Sequence, residues 1–313
     1  MMKYIAKRLL HFVLIVLGIT GLTFLLIHSV SGDAVDILYD NATGASEAVK
    51  DATRNKLGLN DPQFIQYVRW LGHMVQGDFG VSYISGNRVS DTFMSKLPNT
   101  IYLTLTSIVF TVCISIPLGI IAATKQNTWA DYLIRFLSFI GNALPGFFVS
   151  LLLILFFCVK LNWFLAVGGE GIKSIILPTL TLAFAMSAKY TRQIRTVVLE
   201  ELGKDYVIGA RARGVKETVI IYSSVLKCCM PAIVALFALS FGSLLGGTAI
   251  IESIFLWDGV GKLALDAIMM RDIPMIQAYV IWMSLIYAVV NVIADISYRV
   301  LDPRITRGKE GVL

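Results

Sequence analysis

The chain has 313 residues, 56% of them hydrophobic and only 15% charged, which is too apolar for a water-soluble domain of this length and describes a membrane protein. Its net charge of +6 reads as a topology and lipid-headgroup signal, so a nucleic-acid partner is not expected. Cys113, Cys158, Cys228 and Cys229 lie in or beside apolar runs, at spacings that fit neither a zinc site nor a redox pair.

Lys3, Lys7 and Arg8 precede the first uncharged run, Leu9–Gly32, which is longer than a secretory signal core and reads as a retained first helix. Four more runs lack Asp, Glu, Lys and Arg: Leu97–Thr124, Phe136–Val159, Cys228–Ile251 and Ile273–Ala294. Each of the five has at least 22 residues, enough to cross a hydrocarbon core of roughly 30 Å. A shorter run, Ser174–Ala188, completes an expected set of six transmembrane helices in an all-α integral membrane protein. With six spans and a cytoplasmic N-terminus, the inner segments hold 17 Lys and Arg and the outer segments 10, which places both termini inside.

After the first span comes a long polar segment, Ser31–Lys96, on the outer side. Asn41–Ala48 reads as a loop, and Pro62 is suited to start a helix with Phe64, Tyr67, Val68, Leu71, Met74 and Val75 on one apolar face. Gly77-Asp78-Phe79-Gly80 reads as a turn leading into a short extended piece. The second span is expected to close at Pro117-Leu118-Gly119, and the third contains Pro145-Gly146. Proline and glycine at that depth mark packing kinks or helices beside a pathway.

Between the fourth and fifth spans lies a basic island of small residues: Asp205, Tyr206, Val207, Ile208, Gly209, Ala210, Arg211, Ala212, Arg213, Gly214 and Val215. The stripe Ile194, Val197, Val198 and Glu201 or Leu202 carries a helix into it, and Gly214 is placed as a helix-terminating glycine. Small side chains allow a close approach by another protein; the alternative is a basic loop that only fixes topology. At the end of the fifth span, Gly246-Gly247 precedes Glu252, Phe255, Asp258 and Gly259. A carboxylate there either lines the mouth of a path or pairs structurally, for instance with Arg271.

No catalytic constellation is present, no metal site is legible and no cofactor is expected. Gly259-Val260-Gly261-Lys262 is not a phosphate loop, because Leu256 stands where its first glycine belongs and Leu263 where Ser or Thr would hold magnesium.

The island resembles the cytoplasmic signature loop of ABC-importer permeases in their dipeptide, oligopeptide and nickel branch. The similarity runs along nearly the whole chain: Gly32-Asp33, Leu57-Gly58-Leu59, Gly77-Asp78-Phe79-Gly80 with Ser82, Leu97-Pro98, Leu177-Pro178, Gly246-Gly247 with Glu252, Arg271-Asp272 with Pro274, and Leu301-Asp302-Pro303-Arg304. The resemblance implies a single permease domain over 1–313, the first of two paired permeases, in a bacterial or archaeal cytoplasmic membrane. It also implies a homologous second permease, two cytoplasmic ABC ATPases docked on a coupling loop, and an extracytoplasmic solute-binding protein. Pro145, Glu252, Phe255, Asp258 and Gly259 become candidates for the path and outer gate. Asp258 replaces a usual proline, Ala34 follows Asp33 where proline is common, and Lys227-Cys228 replaces a frequent Arg-Asn pair. Asp33, Ala34, Val35 and Asp36 with Tyr39, Thr53-Arg54, and the run from Gly247 to Glu252 look more like the nickel than the oligopeptide type. Nickel, free or chelated, is therefore the favoured solute, ahead of di- and oligopeptides. A rival from another class, an ion channel or membrane-embedded enzyme, would act without an ATPase.

The topology has a direct check. On a background lacking the four cysteines, Ser46→Cys is expected to react with an impermeant thiol reagent from outside intact cells, while Ser224→Cys reacts only after permeabilisation. The opposite pattern would invert the assignment.

Overall fold

The computed structural model describes residues 2–29, 34–40, 46–165 and 171–301, and these are helical almost throughout. Gly32-Asp33 and Asp302-Pro303-Arg304 lie outside the described residues. In chain order the helices are α1 (Met2–His28), α2 (Ala34–Asp40), α3 (Glu47–Leu57), α4 (Gln63–Val75), α5 (Val89–Thr124), α6 (Trp129–Ala143) and α7 (Gly146–Leu153). There follow α8 (Ile172–Leu202), α9 (Asp205–Ala212), α10 (Glu217–Val219), α11 (Leu226–Gly247), α12 (Ala249–Ile254), α13 (Val260–Met269) and α14 (Ile273–Leu301). Two stretches widen into π-helix: Ile154–Lys160 continues α7, and Ile220–Val225 joins α10 to α11.

Val89–Thr124, Glu217–Gly242 and Ile273–Ile293 are each long and apolar enough to cross a membrane. The expected third span is one only if α6 and α7–Lys160, which meet at a bend of 100°, are counted together. The bend has a local cause: Pro145 has no N–H to give, and Leu144 and Pro145 both adopt extended backbone before α7 begins. The expected close at Pro117-Leu118-Gly119 does not occur, since α5 continues to Thr124. The turn at Gly77 and Gly80 is present with both glycines at positive φ, and it ends in a single antiparallel bridge between Val81 and Arg88.

The chain divides into two compact units, Met1–Thr100 with Asp258–Ala288, and Ile101–Trp257 with Val289–Leu313. In the first, α4 meets α1 through Tyr67, whose hydroxyl lies 2.9 Å from Thr20 Oγ1 and whose ring is 5.4 Å from that of Phe24. Phe64, Val68 and Val75 on the same helix remain exposed. The Ser82 hydroxyl and the Tyr83 N–H both donate to the Asp272 carboxylate, which pins the Gly77–Arg88 loop to the turn between α13 and α14. Burial raises the Asp272 carboxyl against the pull of these donors, and burial beside that carboxylate pushes the Tyr83 phenol up to about 12.

The second unit is built around α8. Its stripe Tyr190, Ile194 and Val198 is buried in one core with Ile120 from α5, Val207 from α9, and Cys229, Ile233 and Phe237 from α11. Gly119 and Gly141 are the close approaches. A Cβ on Gly119 would lie 2.7 Å from Ile194 Cγ2 and 3.2 Å from the Thr191 carbonyl oxygen, and one on Gly141 would lie 2.8 Å from Ala188 Cβ. Bare backbone at these points brings α5 and α6 against α8, where van der Waals packing takes the place of a hydrophobic force between helices in lipid. Arg195 on α8 donates from Nε and Nη2 to the buried Asp131 carboxylate at the start of α6, at 2.7 and 2.8 Å. Gly246, by contrast, has open space where its Cβ would stand.

The same methyl group should therefore act differently at two sites. Gly119→Ala is expected to destabilise the solubilised protein by about 1–3 kcal/mol through overpacking. Gly72→Ala meets nothing within 4 Å and should be neutral or stabilising by up to about 1 kcal/mol from helix propensity. Thermal unfolding in detergent reads both.

Candidate functional site

The island folds as a single short helix. Asp205 to Ala212 form α9, one residue, Gly203, separates α8 from the Lys204 N-cap, and Asp205 in the first turn faces the positive helix end. The C-terminus is a Schellman turn: the Val215 N–H donates to the Ala210 carbonyl at 3.2 Å and the Gly214 N–H to that of Arg211 at 2.9 Å. Gly214 has φ +77° with nothing within 4 Å of an added Cβ. Within the described residues its glycine serves the turn, and nothing in this chain approaches it closely. Across the turn, Arg211 forks onto Glu217, with Nε to Oε2 at 3.0 Å and Nη2 to Oε1 at 2.5 Å.

One side of α9 is fastened and the other is open. Val207 is buried in the α8 core and Ala210 packs against it. The Tyr206 hydroxyl donates to Glu201 Oε1 at 3.0 Å, and Lys204 Nζ lies 2.6 Å from Glu201 Oε2. Desolvation and then the Glu201 bond raise the Tyr206 phenol. Ile208, Arg211, Ala212 and Arg213 point out, next to the exposed apolar side chains of Val215, Val219 and Tyr222. Gly209 adds no bulk, since its Cβ would meet only Arg213 Nη1, at 3.6 Å.

The residues expected at a path or gate fall into both units. Pro145, Glu252 and Phe255 belong to one, Asp258 and Gly259 to the other. Pro145 is the N-cap of α7, which packs along α12, with Ile251 Cδ1 3.6 Å from where a Gly146 Cβ would stand. Glu252 is 0% exposed, and Phe255 is buried with Ile251, Leu244 and Leu177. The chain leaves α12 through Leu256 at φ +49°, where the Trp257 N–H reaches the Glu252 carbonyl at 2.8 Å. A branched side chain in the left-handed region is strained by roughly 1–2 kcal/mol. Asp258 is ion-paired with Lys96, and its carbonyl accepts from Asn99 Nδ2 at 2.8 Å. Gly259 is the N-cap of α13, whose Val260 N–H donates to Thr100 Oγ1 at 2.8 Å.

Sequence reasoning passed over a row of hydroxyls on α5. Thr104, Ser107, Thr111 and Ser115 are all 0% exposed, and the Thr104 and Ser115 hydroxyls have no hydrogen-bond partner among the described residues. The signal was present as hydroxyls three and four apart inside an uncharged run. The residues behind the nickel preference mostly engage one another: Arg54 on α3 pairs with Asp36 on α2, and Tyr39 Oη lies 3.3 Å from Thr53 Oγ1. Among the described residues no group of three or more His, Cys, Asp or Glu is placed to hold a metal ion.

Long apolar helices carrying a short, half-fastened helix of small and basic residues define the membrane subunit of a transporter. The chain matches the family described as binding-protein-dependent transport system inner membrane component over residues 115–307, and its N-terminal counterpart over residues 1–104, and it belongs to that family. It is an ABC-importer permease of the peptide and nickel branch. The oligopeptide transport system permease protein AppB of Bacillus subtilis is 40% identical, covering 97% of this chain and 99% of its own. The glutathione transport system permease protein GsiC of Escherichia coli K12 is 36% identical over the same shares. Among solved structures, the MetNI methionine ABC transporter in an inward-facing conformation aligns with a TM-score of 0.56 at 15% identity, covering 67% of this chain and 96% of the other, a likeness of fold.

The Gly214 turn yields a paired test. Gly214→Val is expected to cost roughly 1 kcal/mol or more by backbone strain and to weaken ATPase co-purification or solute-stimulated hydrolysis. Gly214→Asn, which tolerates positive φ, should retain most of both. Equal loss in the two variants would mean that the turn geometry is not what matters.

Proposed function

We propose that this subunit forms half of a permease pair, with six spans, cytoplasmic termini and α9 as the helix through which a cytoplasmic ATPase drives it. The observation that carries this reading is the asymmetry of α9. Val207 and the Schellman turn fix its position, while Ile208, Ala212 and Arg213 are presented outward, with no packed surface over them among the described residues. Such a face fits a protein groove better than bare cytosol, where Ile208 and Val215 would expose apolar area. Two ATPases, a homologous second permease and an external solute-binding protein complete the importer, with this chain as the first of the two permeases and its residues 1–313 working as one permease domain.

The solute we propose is a short peptide. Two relatives sharing 40% and 36% identity over almost their whole length are named as oligopeptide and glutathione permeases. Nickel remains the competing solute, and the internal pairing of Asp36 with Arg54 and of Tyr39 with Thr53 explains those residues without a metal. Glu252 is assigned a structural role, because its side chain is enclosed in this subunit. Uptake of a labelled tripeptide and of nickel by the assembled importer tests both readings. Tripeptide uptake dependent on the binding protein is expected, and Glu252→Gln should reduce transport of any solute carried to the same degree. Nickel uptake without tripeptide uptake would replace the peptide reading, and a loss confined to nickel would return Glu252 to the path.

A further inference from the structure

Between α6 and α8, beside the Asp131–Arg195 pair, lies a groove of about 370 Å³ lined by Tyr132, Arg135, Phe139, Thr191, Arg192 and Arg195. Its lining is strongly cationic. Three guanidiniums face one space, and Asp131 engages only Arg195 among the described ion pairs. Arg135 and Arg192 have no carboxylate within 4 Å among the described residues, and both are exposed. Arg135 lies over the Tyr132 ring at 5.9 Å, which orients the guanidinium but leaves its N–H donors available. Around the groove the α6 surface is aromatic and open: Trp129 is 77% exposed, Phe136 60% and Phe139 70%.

Aromatic rings beside arginines that lack a carboxylate within 4 Å among the described residues are the composition of a membrane–water interface. Planar guanidinium forks match phosphate oxygens, and apolar walls match the first part of an acyl chain. We propose that this groove is a binding site for the headgroup of an anionic phospholipid, with Arg135 and Arg192 on the phosphate and Phe136 and Phe139 along the chains. Basic pockets between transmembrane helices on the cytoplasmic side take such headgroups on general grounds. The inference rests on the proposed orientation only in naming the inner leaflet. Because Arg192 lies on the helix that leads into α9, an occupied site braces α6 against α8 close to the coupling helix.

The test is native mass spectrometry of the purified importer complex, titrated in detergent with dioleoyl-phosphatidylglycerol and separately with dioleoyl-phosphatidylcholine. Saturable phosphatidylglycerol binding, about tenfold tighter than phosphatidylcholine, is expected, and it should fall by about tenfold in Arg135→Gln/Arg192→Gln. Millimolar inorganic phosphate should not displace the lipid; displacement would make this a soluble-anion site and overturn the proposal. Equal binding of the two lipids, or unchanged binding in the double variant, would overturn it as well. Should the double variant fail to assemble, photoreactive phosphatidylglycerol added to the unaltered complex is expected to label peptides containing residues 132–139 or 191–195. No label there would mean that another surface, such as the second permease, fills the groove. None of these readouts depends on sidedness or on the transported solute, so failure here leaves the importer reading standing.

Discussion

The close approach of two helices to α8 is the constraint on which the membrane unit rests. Lipid tails are as apolar as leucine, so burying apolar side chains does little to drive helices together there. Contact has to come from shape and from polar bonds. Gly119 and Gly141 supply the shape, and the Asp131–Arg195 fork supplies a charge-assisted bond at the end of the same two-helix contact. Tyr190 and Ser240 add a hydroxyl pair between α8 and α11. Removing one partner of the Asp131–Arg195 pair would leave a buried charge uncompensated, a far larger penalty than the pair's own net worth.

From that packing follows the mechanical position of α9. A single residue separates α8 from the α9 N-cap, and Val207 inserts into the core that α8 organises. A displacement of α9 therefore acts on α8 through both a short covalent link and a packed side chain. The π-helical stretch Ile220–Val225 begins just beyond the loop, so the following span starts with widened turns. Arg211 and Glu217 are both half exposed, so their ion pair tidies the Gly214 turn and contributes little to stability.

Three carboxylates singled out in the sequence are occupied in holding the protein together. Asp36 meets Arg54, Asp258 meets Lys96, and Asp272 receives Ser82 and Tyr83. The last case joins two stretches that the sequence showed only as separate matches, Gly77-Asp78-Phe79-Gly80 with Ser82 and Arg271-Asp272. Selectivity for solute has no visible basis in these groups, which accords with a family whose members depend on a separate binding protein.

Membership of the permease family, the all-helical class and the turn at Gly214 were legible from the chain alone. The reason is local: apolar run length, turn glycines and charge spacing are written in neighbouring residues. The helix ends were less legible. Pro145 stands at a 100° bend where Leu144 and Pro145 are extended, while Pro117 lies within an unbroken helix, so a proline in an apolar run does not by itself say whether the helix ends. Which glycines bring helices together was not legible either: Gly119 and Gly141 do so and Gly246 does not, since only the fold says what stands opposite a missing Cβ. The partners of Asp131, Asp258 and Asp272, and the sharing of one groove by Arg135 and Arg192, join residues far apart in the chain, and only the tertiary structure brings them together.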